Sequence, residues 1–363
     1  MPFENETTFV RMQKQGREAE FHERYERALE DVRRYFGKEY PNIVVRDITE
    51  ERKIKDVSPI DGSEIATFQL ASKESVGEAL DVLNRNYRSW YWKGGYVHRA
   101  MTFLRAAEML SERKFEFAAL LTYENGKNRT EAMADVDEGI DFMRYYALNL
   151  IENQGFNRFT GRGGYDNEES MSYMKPYGVF AVIAPFNFFA ITVGMTTGPL
   201  ITGNAVVLKP SSDIPLASYL FVRLLHEAGV PKEVLAFLSG SGGVVGTALV
   251  EDPRIGGLVF TGSKDVGMKL FHKISEKVPK PAITEMGGKD CVVVTNRANL
   301  DKAVQGVIRA AFGYAGGQKC SAASLVFVQS GVYDRFLDML VKEASKIKPD
   351  DPQEEGDVPE PPL

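Results

Sequence analysis

Apolar and polar positions follow two different patterns along the chain, and the change comes at Gly178. Before it, apolar residues recur at three- and four-residue spacing, the signature of amphipathic helices. The charged stretch "EAEFHERYERALEDVRRYF" is one such helix, and the same spacing predicts helices over residues 73–86, 96–113, 114–125 and 129–154. Their charged faces read as solvated surface. Between them, "RDITEERKIKDVSPIDGSEIATFQLA" reads as short strands around a turn at Pro59, Asp61 and Gly62. The polar, glycine-rich segment 157–178, "NRFTGRGGYDNEESMSYMKPYG", fits either a linker or a hairpin that leaves the main body.

After Gly178 the apolar residues come in short unbroken runs: "GVFAVIAP", "NAVVLKP", "EVLAFLSG", "GGLVFTGS", "PAITEMGG", "CVVVT" and "SLVFVQ". Strands covered on both faces lose their alternation and look like this. Helical stretches separate them, including "PLASYLFVRLLHEAG", "GGVVGTALVED" and "SKDVGMKLFHKISEK". Parallel strands need such crossovers, so the expected fold is a doubly wound α/β sheet. Residues 176–208 hold no charge and are long enough to cross a bilayer. Pro185, Asn187, Pro199, Asn204 and several glycines break that stretch into two strands and a short helix. No membrane span is therefore expected.

Composition narrows the function classes. A net charge of −6 gives no basic footprint for nucleic acid. Two cysteines cannot build a disulfide framework, and four scattered histidines give no metal-ligand spacing, so no metal is expected. The N-terminus is charged throughout and lacks the apolar core of a signal peptide, which favours the cytoplasm. Residues 348–363, acidic and proline-rich, are expected to be disordered.

Several strand ends carry candidate chemistry. "FTGSKDVG" places Gly262 and Ser263 between a buried strand and a helix, which fits a phosphate grip or a plain N-cap. "LSGSGGVVG" is a second glycine-rich strand-to-helix turn, beginning at Gly240. Two such turns at one sheet edge favour a nucleotide crevice. Lys209 ends "AVVLK", either facing a ligand or snorkelling to solvent. Asn187 in "APFNFF" is a buried amide that bonds backbone or faces an empty site as an oxyanion donor. Glu285 in "TEMGGK" is either a desolvated general base or a salt-bridge partner of Lys289. Cys291, among valines, reads as a small core residue. Cys320, in the Gly/Ser/Ala loop "GGQKCSAAS", has room for a substrate and is a candidate nucleophile.

In this order "APFNF", "VVLKPS", "FTGSKDVG", "EMGGK" and "GGQKCSAAS" resemble the aldehyde dehydrogenase superfamily, from about Val57 to Lys346. "FENET", "YENGKNRTEAMADVDEGIDFMRYYA", "YDNEES" and "GQKCSAAS" narrow the resemblance to its 1-pyrroline-5-carboxylate (L-glutamate γ-semialdehyde) dehydrogenase branch. The resemblance implies Cys320 as nucleophile, Glu285 as general base and Asn187 as oxyanion donor. It implies Pro185, Phe186, Lys209, Ser212, Gly240, Gly262 and Ser263 as cofactor contacts, and Ser321 as a substrate contact. The cofactor it implies is NAD. Ser212 stands where many members have a ribose-binding glutamate, which leaves NADP open. The implied substrate is a small aldehyde, oxidised through a cysteine thioester to the carboxylate, in a homo-oligomer. A different semialdehyde dehydrogenase, or an inactive fragment that only binds nucleotide or partner subunits, is the alternative.

The implied architecture is a helical arm over residues 1–50 and a Rossmann-type NAD(P)-binding domain over 51–286. Residues 157–178 would be a hairpin of the oligomerisation region, and 287–347 the start of an α/β catalytic domain. Members continue beyond the cysteine region, through an "E-x-F-G-P" motif and a last strand that pairs across subunits. Neither is recognisable after Cys320, so the catalytic domain is expected to be incomplete and the sequence a truncated reading.

Overall fold

The computed structural model describes residues 3–162, 164–165, 167–313, 315–348 and 351–354. Two helices, α1 (Thr8–Lys14) and α2 (Glu18–Val32), open the chain. The charged face of α2 points outward, while Phe21, Tyr25, Leu29 and Val32 are buried. The expected arm is thus packed into the body by its apolar stripe. The "FENET" segment is strapped to a later helix. Thr8 donates its N–H (2.6 Å) and hydroxyl (2.8 Å) to Asp137, the Glu6 N–H donates to Asp141, and Glu6 pairs with Lys114 and Arg144.

Strands β1 (Lys38–Tyr40), β2 (Asn42–Val44), β3 (Arg46–Ile48), β4 (Lys53–Val57) and β5 (Glu64–Gln69) follow. β1, β5 and β4 make a small sheet. Four helices come next: α3 (Lys73–Trp92), α4 (Gly95–Glu112), α5 (Lys114–Asn125) and α6 (Arg129–Glu152). The spacing located all four within a few residues at most ends. α3 runs further than expected because Trp90 is buried and its indole N–H finds the Leu200 carbonyl at 2.8 Å. Residues 157–178 contain a hairpin, β6 (Arg158–Arg162) against β7 (Glu169–Ser172), rather than a plain linker.

The crossover region then supplies β8 (Val179–Ile183), α7 (Phe189–Ile201), β9 (Ala205–Lys209), α8 (Pro215–Ala228) and β10 (Leu235–Phe237). After a wide helical turn at Gly242–Gly246 come α9 (Thr247–Glu251), β11 (Ile255–Gly262), α10 (Lys264–Ile274) and β12 (Ala282–Met286). Among the described residues these build a seven-stranded sheet in the order β12-β11-β8-β9-β10-β2-β3. It is parallel from β12 to β10, with β2 and β3 added antiparallel. β8 through β10 are buried along their whole length, which explains their lost alternation. From β8 the chain winds outward to β9 and β10, then crosses back to β11. The switch point, where open α/β sheets take ligands, therefore lies at the carboxyl ends of β8 and β11. No helix among the described residues is long and apolar enough to cross a membrane.

The last two strand runs do not extend this sheet. Among the described residues β13 (Asp290–Val294) pairs only with β14 (Ala323–Val328), beside α11 (Leu300–Phe312) and α12 (Tyr333–Ala344). Val294, Leu300, Val304, Val307 and Phe336 form a second, smaller core there. The helices cover one face of the pair, and Val293, Leu325 and Phe327 on the other face are exposed. Cys291 shares that open face, so it is not the core residue its valine neighbours implied. Of the tail 348–363, residues 349–350 and 355–363 lie outside the described residues. Residues 351–354 form a turn whose Gln353 carbonyl accepts from Arg129 at 2.8 Å.

One buried contact makes the fold pH-sensitive. Asp56 on β4 is 1% exposed, and its carboxylate faces that of Glu124 at the end of α5. Burial pushes Asp56 up to about 7, with Asp213 adding repulsion, and burial pushes Glu124 well above the ordinary carboxylate range. Burial disfavours the charged form of each, and a charge on one carboxylate raises the cost of a charge on the other. A carboxyl whose folded pKa is raised contributes fully below its unfolded pKa, 3.8 for Asp56, and loses that contribution as pH rises through about 7. Urea unfolding should therefore show wild-type stability falling relative to Asp56→Asn between pH 4.5 and 7.5, by on the order of 2–4 kcal/mol. Parallel pH profiles for the two proteins would show that burial does not raise the Asp56 pKa in the fold.

Candidate active site

The candidate residues gather at the carboxyl edge of the main sheet. β8 ends in Ile183, and "APFN" carries the chain over the edge to Asn187. Asn187 is half-buried, and its Nδ2 donates to the Gln318 carbonyl at 2.7 Å. That bond lays the loop holding Cys320 across the end of β8. Cys320 and Ser321 are exposed in that loop. The amide predicted to be buried is instead the tie between the main sheet and the nucleophile loop.

Lys209 ends β9 in register with Ile183. It is 5% exposed, and its ammonium donates to the carbonyls of Pro210 and Gly240, the latter at 3.1 Å. Burial lowers its pKa to about 8, against a smaller opposing pull from Asp213. The snorkelling alternative therefore fails: the head group is held inside, between two strand ends. Gly240 has a positive φ of 155°, and a Cβ there would lie 2.4 Å from Val245 Cγ2. Only glycine lets the turn after β10 close over Lys209. Ser212 is half-buried beyond Pro210, Pro185 is buried, and Phe186 is exposed.

Gly262 and Ser263 end β11 and begin α10. Ser263 stands at the N-cap position, yet its hydroxyl makes no capping bond, so the plain N-cap reading does not hold. Glu285 lies on β12 in register with Thr261, beside this turn. It is exposed, and no ion pair joins it to Lys289 among the described residues. The expectation of a desolvated or paired carboxylate is corrected here. β12 is the edge strand of the described sheet, so one side of it is open.

Three further residues escaped the sequence reading. Lys127 and Asp135, both fully buried, form an ion pair of 2.6 Å between the α5–α6 turn and α6. The Asp135 carboxylate accepts the N–H groups of Phe189 (3.0 Å) and Ala190 (2.8 Å), capping α7 immediately after Asn187. Lys127 Nζ lies 3.7 Å from the centre of the Phe188 ring. Glu124 acts in parallel: it accepts the N–H groups of Leu216 (2.7 Å) and Ala217 (2.8 Å), capping α8 after the Lys209 turn. Neither α7 nor α8 has a side-chain cap of its own. No local signal marked these roles, because each is defined by N–H groups on a helix distant in sequence. Lys127, Glu131, Asp135, Glu138, Phe188 and Lys319 line a small cavity of about 80 Å³ beside Asn187. Burial raises the pKa of Glu138 there, with Asp135 adding to it.

Arranged this way, the edge offers a thiol on an exposed Gly/Ser/Ala loop, an amide bonded to that loop, an exposed carboxylate on β12 and a buried lysine held by the carbonyls of Pro210 and Gly240. A sequence model of the aldehyde dehydrogenase family matches residues 46–360. The 1-pyrroline-5-carboxylate dehydrogenase 2 of Bacillus subtilis is 40% identical over 339 residues, 90% of this chain. The chain spans 65% of that relative's length. Among solved structures, a 1-pyrroline-5-carboxylate dehydrogenase from Thermus with bound NAD is 35% identical with a TM-score of 0.86. The match covers 95% of this chain and 67% of that one. Proline utilization A from Bdellovibrio bacteriovorus, inactivated by N-propargylglycine, matches at 34% identity and a TM-score of 0.90, over 97% of this chain and 37% of its own.

Both thiols are exposed, so Ellman's reagent should titrate two thiols in the native chain and one in Cys291→Ser. A single reactive thiol in the undenatured wild type would return Cys291 to a core.

Proposed function

Because this chain belongs to the aldehyde dehydrogenase family, we propose that it carries the cofactor-binding and nucleophile-bearing part of an enzyme that oxidises an aldehyde to a carboxylate. The substrate proposed is L-glutamate γ-semialdehyde and the product L-glutamate, a step of proline degradation. The observation that supports this reading best is the Asn187–Gln318 bond, which sets an amide donor and the Cys320 loop together at the switch point of the sheet.

In the proposed mechanism the Cys320 thiolate attacks the aldehyde carbon, forming a C–S bond and an alkoxide. The Asn187 amide turns from Gln318 to the alkoxide oxygen, helped by the Cys320 N–H; one such donor typically contributes about 10²–10³ in rate. The bound cofactor supplies the hydride acceptor, and loss of hydride from carbon leaves an acyl thioester on Cys320. Glu285 then takes a proton from water, which attacks the thioester and releases the acid. Ser321, next to Cys320 and exposed, is the residue proposed to meet the substrate's far end.

NAD is the cofactor proposed, and the edge suits a dinucleotide. The N-terminal N–H groups of α10 have no side-chain cap and can receive a phosphate at Gly262 and Ser263. Lys209 is already desolvated and needs only to exchange a carbonyl for a ribose hydroxyl. Gly240, Pro185 and Phe186 line the same edge, and Ser212 neither demands a free 2′-hydroxyl nor strongly repels a 2′-phosphate. The β6–β7 hairpin, with Phe159, Tyr165, Met171 and Tyr173 exposed, is the surface proposed for a second subunit. A cytoplasmic location fits two free thiols.

Reduction of NAD by glutamate semialdehyde, run beside succinate semialdehyde and beside Cys320→Ala, tests the reading. Turnover that prefers glutamate semialdehyde and vanishes in Cys320→Ala is expected; turnover surviving that substitution overturns it. NAD and NADP at equal concentration should favour NAD. In single turnovers, Glu285→Ala should slow thioester release more than hydride transfer. Wild-type rates for both steps would remove Glu285 from the role of base.

A further inference from the structure

We propose that Asp135, together with Lys127, is the positioning residue that holds Asn187 and Phe188 in the geometry the thiol addition step needs. The inference rests on the oxyanion role proposed for Asn187 and adds the groups that fix it. The turn from β8 into α7 holds Asn187, and a turn of this kind has little rigidity of its own. α7 has no cap at Phe188, the residue next to Asn187. Its first N–H groups, of Phe189 and Ala190, are instead bonded to separate oxygens of Asp135 on α6. The oxygen that receives Phe189 N–H also receives Lys127 Nζ, at 2.6 Å. The same ammonium sits over the Phe188 ring, so one buried ion pair grips residues 188, 189 and 190. From the other side, Asn125 donates to the Phe186 carbonyl. Asn187 is therefore clamped on both flanks by the segment 125–135, and only its side chain is left to exchange partners.

The chemistry of the clamp demands a carboxylate. Both oxygens of Asp135 face N–H donors, so an amide nitrogen in either place would oppose a donor with a donor. Asp135→Asn is nearly isosteric yet breaks one side of the grip. Misplacing a catalytic group by about 1 Å can cost roughly 10²-fold.

The test is a double-mutant cycle between Asp135→Asn and Asn187→Ala, read by the burst of nitrophenolate from p-nitrophenyl acetate. In that burst the Cys320 sulfur acylates, the ester C–O bond breaks, and no cofactor is needed. Asn187→Ala should slow the burst by about 10²–10³-fold. Asp135→Asn should slow it by roughly 10–10²-fold in the wild-type background and by almost nothing once Asn187 is gone. Lys127→Met, which keeps the cap on α7 and removes the charge over Phe188, goes through the same cycle and serves if Asp135→Asn does not fold. Effects that multiply in both cycles mean the pair acts on the fold generally and overturn the inference alone. No burst in the wild type, or a normal burst in Asn187→Ala, would instead sink the assigned roles of Cys320 or Asn187, and the inference with them.

Discussion

A parallel strand that turns straight into a helix leaves several backbone N–H groups unpaired at the sheet's carboxyl edge. How each of these is satisfied decides where a ligand can enter. The turns into α7 and α8 are closed from outside by buried carboxylates, Asp135 on α6 and Glu124 on α5, helices that pack on α7 and α8. The turn after β10 is closed by Ser241, whose side chain accepts the N–H of Val244. The turn into α10 at Ser263 has no side-chain cap. That open helix start, beside turns whose N–H groups are bonded, is what suits the proposed phosphate seat at Gly262 and Ser263. The capping pattern thus separates a rigid flank, where Asn187 and Lys209 are held, from a receptive one.

Holding those caps requires burying charge, which is costly unless it is paired or protonated. The two carboxylates solve the problem differently. Asp135 stays beside the Lys127 ammonium, and removing one partner of such a pair typically costs about 3–5 kcal/mol. Glu124 has no cation: it faces Asp56, and burial drives both toward the protonated form. Held toward the protonated form, Glu124 keeps its two backbone bonds without a full buried charge. The consequence is a flank at α8 that responds to pH and a flank at α7 that is tied to a fixed counter-ion. Lys209 stands next to the first of these, itself desolvated, with its ammonium satisfied by carbonyls rather than by an acid.

How much of this could be read in advance follows from range. Helices α4, α5 and α6 were legible because their apolar stripes repeat over several turns, and β8 through β11 because unbroken apolar runs between helices mean a covered parallel sheet. β2 was not, since three residues carry too little pattern, and its burial comes from pairing with β10, far along the chain. Cys320, Asn187 and Lys209 stood out because strand ends and glycine loops are local signals. Cys291 was misread because local composition cannot tell which face of β13 is covered. The roles of Lys127, Asp135 and Glu124 were invisible, since each is defined by N–H groups on a helix distant in sequence.

Glu285 shows the same limit at the site itself. A carboxylate at the end of an apolar run looks desolvated in sequence, but β12 is an edge strand and leaves it open to water. Openness suits one half of the proposed cycle and not the other. A base that must deliver water to a thioester benefits from solvent access, whereas a thiol addition and hydride transfer benefit from its exclusion. Ile283 on β12, and Val293, Leu325 and Phe327 on the open face of β13 and β14, present exposed apolar surface that a closing element would cover. In the proposed cycle the buried caps at the sheet edge would fix the position of Asn187, and packing over β12 would set how much water reaches Glu285, so that addition and hydrolysis would be tuned by different parts of the edge.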